Sequence, residues 1–121
     1  MAKYKIPRGT YDILPKDGYK WQFIRKKFKE IMKNYNYNEI VTPIFESAAL
    51  FERSVGDTSD IVEKEMYKFK DKKGREFALR PEGTAPVVRS FVNNGLYMQG
   101  NHTKLFRSEE RRVGKECTLR C

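Results

Sequence analysis

At 121 residues and a formal net charge of +9, the chain is at most one domain, of a size that buries somewhat under ~70% of the surface its unfolded form exposes. Its 39% hydrophobic and 13% aromatic content supports a real core and excludes bulk disorder. No segment approaches the ~18 apolar residues of a membrane span, and Met1-Ala2-Lys3-Tyr4-Lys5 lacks the apolar run of a secretory signal, so a cytoplasmic protein is expected.

The charge permits attraction to a polyanion such as RNA without identifying a partner. The basic residues are spread along the chain, with Lys26-Lys27 and Lys72-Lys73 as its Lys-Lys pairs, and they read mostly as solvated surface. Cys117 and Cys121 are the two cysteines. A Cys-x3-Cys pair with one distant histidine, His102, is a poor metal site and a poor structural disulfide.

In chain order, Pro7, Gly9 and Pro15 predict an extended arm and a turn. Asp17 is the expected N-cap of a helix running to about Tyr35. Trp21, Ile24, Phe28, Ile31 and Tyr35 recur at steps of three and four, which places them on one face, read as a core-facing seam. Lys20, Arg25, Lys26, Lys29 and Lys33 fall mostly on the other. Asn34, Asn36 and Asn38 mark the exit. Glu39 to Thr42 has strand character, ended or placed at a sheet edge by Pro43.

A short helix is expected over Ser47 to Ser54, then a polar loop over Gly56 to Asp60. Met66 to Lys70 and Glu76 to Leu79, joined by Asp71-Lys72-Lys73-Gly74, give a hairpin signal. Thr84 to Asn94 reads as a helix with Val87, Val88, Phe91 and Val92 inward and Gly95 at its C-terminal end. His102 to Phe106 begins another strand. The expected architecture is α+β, an antiparallel sheet flanked by helices, with the look of the opening part of a larger mixed domain.

Three segments carry a family resemblance. Arg8-Gly9-Thr10-Tyr11-Asp12-Ile13-Leu14-Pro15 resembles the arm that opens histidyl-tRNA synthetases. Ile40 to Glu46, followed by Leu50-Phe51-Glu52-Arg53, resembles the first signature of class II aminoacyl-tRNA synthetases. Lys64-Glu65-Met66-Tyr67, Phe69, Asp71, Gly74 and then Leu79 to Ala85 resemble the histidine-specific stretch of the same family. Together, in order and spacing, they cover residues 6 to about 106.

The resemblance implies a partial class II catalytic domain over residues 1–106 and a fragment of a histidine–tRNA ligase. That enzyme activates L-histidine with ATP and Mg2+ as the adenylate, then transfers it to tRNA-His. It also implies a homodimer, through the first signature. By resemblance, Glu82 and Thr84 hold the α-amino group of L-histidine, with Gly83 leaving room for close approach. A free ammonium loses water on binding, so its pocket needs an anionic acceptor and hydrogen-bond partners. Read without the family, Glu82 and Thr84 are simply first-turn helix residues. Arg80 reads as an anchor of the turn through backbone carbonyls before a phosphate or carboxylate ligand, and His102 as structural or exposed.

The resemblance departs after Phe106. Phe106-Arg107-Ser108-Glu109 imitates the second signature, whose arginine binds the ATP α-phosphate, but Glu110 stands where its second arginine belongs. Residues 107–121 read as a foreign, disordered tail, no catalytic residue is placed, and the fragment alone is expected to be inactive. The alternative reading is a synthetase-like regulatory subunit of ATP phosphoribosyltransferase, in histidine biosynthesis.

Overall fold

The computed structural model describes residues 3–54, 66–100 and 102–108. The arm makes its turn where Pro7 and Gly9 predict it. The Thr10 N–H and hydroxyl both donate to the Pro7 carbonyl, at 3.2 and 2.6 Å, and Gly9 takes φ +85°.

The first helix, α1, spans Pro15–Asn34. It starts three residues earlier than expected: Leu14 is the N-cap and Pro15 opens the helix, while Asp17 lies inside the first turn. Proline suits that position because its missing N–H would have had no intrahelical partner and its φ is already helical. Asp17 instead meets the positive end of the helix and Lys20 at 3.4 Å. The exit is a left-handed cap. Asn36 takes φ +63°, its N–H donates to Lys33 O at 3.0 Å, and the Tyr37 N–H reaches back to Met32 O at 2.9 Å. That pair of bonds satisfies carbonyls the helix leaves open.

The apolar seam of α1 lies on one face but is not buried. No residue of the helix is buried; Trp21 and Phe28 are each 38% exposed and Ile24 is 61% exposed. Its ring contacts come from Tyr11 against Trp21, at 6.4 Å, and Phe106 against Phe28, at 5.5 Å. Periodicity selects the face of a helix; burial needs a second layer laid over it.

Beyond the helix, β1 (Asn38–Glu39) pairs in parallel with β5 (Leu105–Phe106), Asn38 opposite Leu105 and Glu39 opposite Phe106. The strand expected over Glu39 to Thr42 is therefore shorter, and Thr42-Pro43 is irregular backbone. A strand not expected from sequence, β2 (Phe45–Ser47), follows and runs straight into α2 (Ala48–Ser54). The polar loop at Gly56 to Asp60 lies outside the described residues.

The hairpin forms as β3 (Lys68–Lys70) and β4 (Glu76–Leu79), antiparallel, with β4 central in a three-stranded sheet ordered β2-β4-β3. Helix α3 (Thr84–Asn93) comes next. Gly95 follows it at φ +63°, the left-handed exit its sequence position predicts, and a single 3-10 turn covers Leu96–Gln99.

The sheet has two unlike faces, as the two-residue period of a strand requires. Glu46, Ala78 and Lys68 stand in register on one, and α2 and α3 pack over it. The core there is Ala48, Phe51, Met66, Ala78 and Ala85, with Phe51 fully buried. That side chain alone stabilises the fold by ~1.5–3 kcal/mol. On the other face Phe45 meets Phe69 and Phe77 edge to face, with centroids 5.5 Å apart, and Phe69 and Phe77 are tilted against each other at 5.8 Å. Helix α3 turns Ala85 and Pro86 to the core, whereas Val88 and Val92, expected inward, are more than half exposed. Ala85 joins the core with Ala48 and Phe51 of α2 and Ala78 of β4, so it is this face of α3, and not the Val88–Val92 face, that meets a second layer.

Asp71 organises the hairpin turn. Its Oδ1 accepts from the N–H groups of Lys73 and Arg75, at 2.9 and 2.8 Å, and its Oδ2 from Arg75 Nε at 2.6 Å. Desolvation opposes ionisation, but the bonds from Arg75 and Lys73 outweigh it and hold the carboxyl below its ordinary value of 3.8. A depressed carboxylate stabilises the folded state above that ordinary value and loses its contribution as pH falls through the lower folded one. Amide resonances of Lys73 and Arg75 should therefore hold steady down to about pH 4 and shift together only below it. The same titration of Asp71→Asn should be flat.

Candidate functional site

The Pro81-Glu82-Gly83-Thr84 turn joins β4 to α3, and it is held from both sides by the irregular segment that precedes and enters β2. Ahead of the turn, the Arg80 N–H donates to Ile44 O at 2.9 Å. The Arg80 guanidinium donates through Nη1 to the carbonyls of Thr42, at 3.0 Å, and Pro43, at 3.3 Å. This is the backbone-anchoring role expected of it. Pro43 cannot donate and breaks the strand, which leaves those carbonyls outside any ladder and open to the arginine.

Behind the turn, Arg89 of α3 places Nε 3.0 Å from both carboxylate oxygens of Glu46. Glu46 is only 9% exposed, on the inner face of β2 beside Ala78. A carboxylate in that position needs a cation. Removing one partner of so enclosed a pair costs on the order of 3 kcal/mol, because it leaves the other charge stranded. The sequence reading gave Glu46 no role and did not single out Arg89. The pair joins positions forty-three residues apart, so no local pattern in the sequence signals it.

Within the turn, Glu82 is half-buried and caps α3. Its carboxylate accepts from the Thr84 N–H and, at 3.0 Å, from the Ala85 N–H. An anion there also faces the positive end of the helix. This is the first-turn helix role that Glu82 has without any substrate. A carboxylate accepts about four hydrogen bonds, so the cap leaves capacity for a further donor. Gly83 is buried at φ −102°, ψ −16°, a conformation open to any residue. Thr84 is exposed.

His102 is exposed. Among the described residues no group of three or more His, Cys, Asp or Glu side chains is gathered as metal ligands would be, and no helix is long and apolar enough to cross a membrane. Arg107 is half-buried, and the Ser108 hydroxyl donates to Glu39 at 3.2 Å. Residues 109–121, including Cys117 and Cys121, lie outside the described residues.

A profile of histidyl-tRNA synthetases matches residues 9–106. The chain belongs to the histidyl-tRNA synthetase family. A histidine–tRNA ligase of Clostridioides difficile is 62% identical over 102 residues, covering 84% of this chain and 24% of that protein. One from a Geobacillus species is 54% identical over 119 residues, covering 93% and 28%. The chain thus spans about a quarter of the length of the curated relatives it matches. The apo Staphylococcus aureus histidyl-tRNA synthetase superposes with a TM-score of 0.67 at 50% identity, over 86% of this chain and 28% of that one. A Bacillus halodurans structure described as an ATP phosphoribosyltransferase regulatory subunit/histidyl-tRNA synthetase superposes with 0.69 at 26% identity, over 88% and 27%.

Because Glu82 caps α3, Glu82→Ala should lower stability by ~1 kcal/mol. Glu82→Gln keeps an oxygen acceptor for the Thr84 and Ala85 amides and should recover most of that loss. Urea denaturation of the three proteins checks it.

Proposed function

We propose that this chain is the amino-terminal part of a histidine–tRNA ligase, and that the Pro81–Thr84 turn forms the wall of its pocket that takes the α-amino group of L-histidine. The observation that carries the reading is the state of Glu82: a half-buried carboxylate fixed by two backbone N–H groups, with lone pairs to spare. Fixing it before the substrate arrives removes the entropy of ordering it during binding. The substrate's ammonium meets a localised charge, and the Thr84 hydroxyl beside it can accept a second N–H. Gly83 between them keeps side-chain bulk away from the ligand.

In the whole enzyme the histidine carboxylate attacks the ATP α-phosphate, giving the adenylate and pyrophosphate, and the aminoacyl group passes to tRNA-His. ATP with Mg2+ supplies the leaving group and the charge that steadies it. What this chain contributes is orientation: holding the ammonium end fixes which way the carboxylate points. A cytoplasmic homodimer completes the proposal. Residues 107–121 fall outside it: the family match ends at Phe106, while the 93% of this chain that the Geobacillus ligase covers extends past that residue.

The likeness to the Bacillus halodurans structure favours one second reading, a regulatory subunit that binds histidine without charging tRNA. The higher identity to the ligases and the Arg8-to-Pro15 arm support the first.

In a full-length histidine–tRNA ligase carrying residues 1–106 of this chain, Glu82→Gln should weaken histidine binding by ~1–3 kcal/mol while keeping the helix cap. ATP affinity should change much less. Unchanged histidine affinity in calorimetry would sink the assignment. The 121-residue chain alone should show background histidine-dependent ATP–pyrophosphate exchange. Turnover above background, abolished by Arg107→Ala, would instead make Arg107 a working phosphate ligand.

A further inference from the structure

Six asparagines stand in the sequence, and Asn94 is the one followed by glycine. The backbone nitrogen that follows an asparagine can attack its side-chain amide carbon, and a glycine nitrogen has no neighbouring Cβ to obstruct the approach. Asn94 is exposed to water and is the C-cap of α3.

The fold requires this vulnerable pair. Gly95 turns the chain out of α3 at φ +63°, a conformation that residues with a side chain rarely adopt, and a Cβ there would stand 3.0 Å from Met98 Cε. The same fold restrains the reaction. Asn94 Nδ2 donates to Ser90 O at 2.9 Å and to Ser90 Oγ at 3.2 Å, which holds the amide back toward the preceding turn. The attacking nitrogen lies on the following residue, and its N–H donates to Val92 O at 3.2 Å. Ring closure needs both sets of bonds released together, so it needs the last turn of α3 to open.

We propose that Asn94 is a site of spontaneous modification, at which Asn94 and Gly95 cyclise to a succinimide when the exit of α3 opens. The Gly95 nitrogen bonds to Asn94 Cγ, the Cγ–Nδ2 bond breaks, and the Gly95 N–H proton leaves with the amide nitrogen as ammonia. Water then adds to one of the two imide carbonyls, and the bond from that carbon to the ring nitrogen breaks. The product is aspartate, or isoaspartate with the main chain running through the side-chain carbon. Nothing is oxidised or reduced, and water is the co-reactant. Either product places a new negative charge at the negative end of α3; aspartate also loses the donor that meets Ser90 O. Because α3 carries Arg89 and the Ala85 amide that Glu82 caps, the change loosens the helix on which the candidate site is built.

The test incubates the 121-residue chain in mildly alkaline buffer, folded and in guanidinium chloride. Mass spectrometry of the tryptic peptide Ser90–Lys104, with aspartate and isoaspartate separated, follows each asparagine. In the denatured chain Asn94 should react more than ~10-fold faster than Asn93, whose following residue carries a side chain, and Gly95→Ala should abolish that preference. No folding is needed for that comparison. In the folded chain the Asn94 reaction should be slower by ~10-fold or more, as the closed exit withholds it. Val92→Gly, at an exposed position of the last turn, should raise the folded rate about twofold by weakening the helix there, and leave the denatured rate unchanged. Asn94→Asp should lower the thermal midpoint followed by circular dichroism. Equal rates for Asn94 and Asn93 in the denatured chain would overturn the site. Equal folded and denatured rates, or no acceleration by Val92→Gly, would overturn the gate, and an unchanged midpoint in Asn94→Asp would overturn its consequence for α3.

Discussion

The contact between Glu46 and Arg89 is the constraint on which the candidate site depends. Glu46 is enclosed on the inner face of β2, largely away from water, and among the described residues Arg89 supplies its charge-assisted contact, with Nε between the two carboxylate oxygens. The cost of leaving Glu46 unpaired is therefore also the force that holds α3 against the sheet. Arg80 does the complementary job at the other end of the turn, through neutral carbonyls that Pro43 leaves outside the ladder. Four residues of turn lie between two anchors that share one short segment, Thr42 to Glu46. The position of Glu82 and Thr84 follows from those anchors more than from packing, since among the described residues the buried apolar core is five side chains, three of them alanines.

That division explains why the charged site can be ordered in a chain with so small a core. The sheet is covered by helices on one face, while on its other face Phe45, Phe69 and Phe77 mainly cover one another. The seam of α1 is likewise open, touched by Tyr11 at Trp21 and by Phe106 at Phe28. Directional contacts hold geometry where apolar area is short: the Asp71 turn, the Asn36 exit and the Glu82 cap each fix a junction between elements. The parallel pairing of β1 with β5 adds a contact between distant parts of the chain, and brings Phe106 onto the helix seam.

The hairpin was legible from its turn residues, and Gly95 from its place after an apolar run, because both depend on local backbone chemistry. The Pro81–Thr84 turn was legible as a motif, and so was Arg80 as an anchor. The start of α1 was misplaced because Pro15 was read as a breaker, when at the first helical position it is a starter. Strand β2 was hidden because Phe45 to Ser47 is too short to show a period, and exists through its pairing with β4. Val88 and Val92 were expected inward on hydrophobicity; the face that meets a second layer is instead that of Ala85 and Pro86. The Glu46–Arg89 pair spans forty-three residues of sequence, and no local pattern announces a partner at that distance.

A double-mutant cycle on that pair tests the account at its centre. Glu46→Gln, Arg89→Met and the double variant would be unfolded in urea, with stabilities extrapolated to water. If the ion pair positions α3, each single change is costly and the double costs less than their sum, by more than ~1 kcal/mol. Losses that add to within ~0.3–0.5 kcal/mol would mean that Glu46 and Arg89 act independently, and that something other than their contact holds the turn in place.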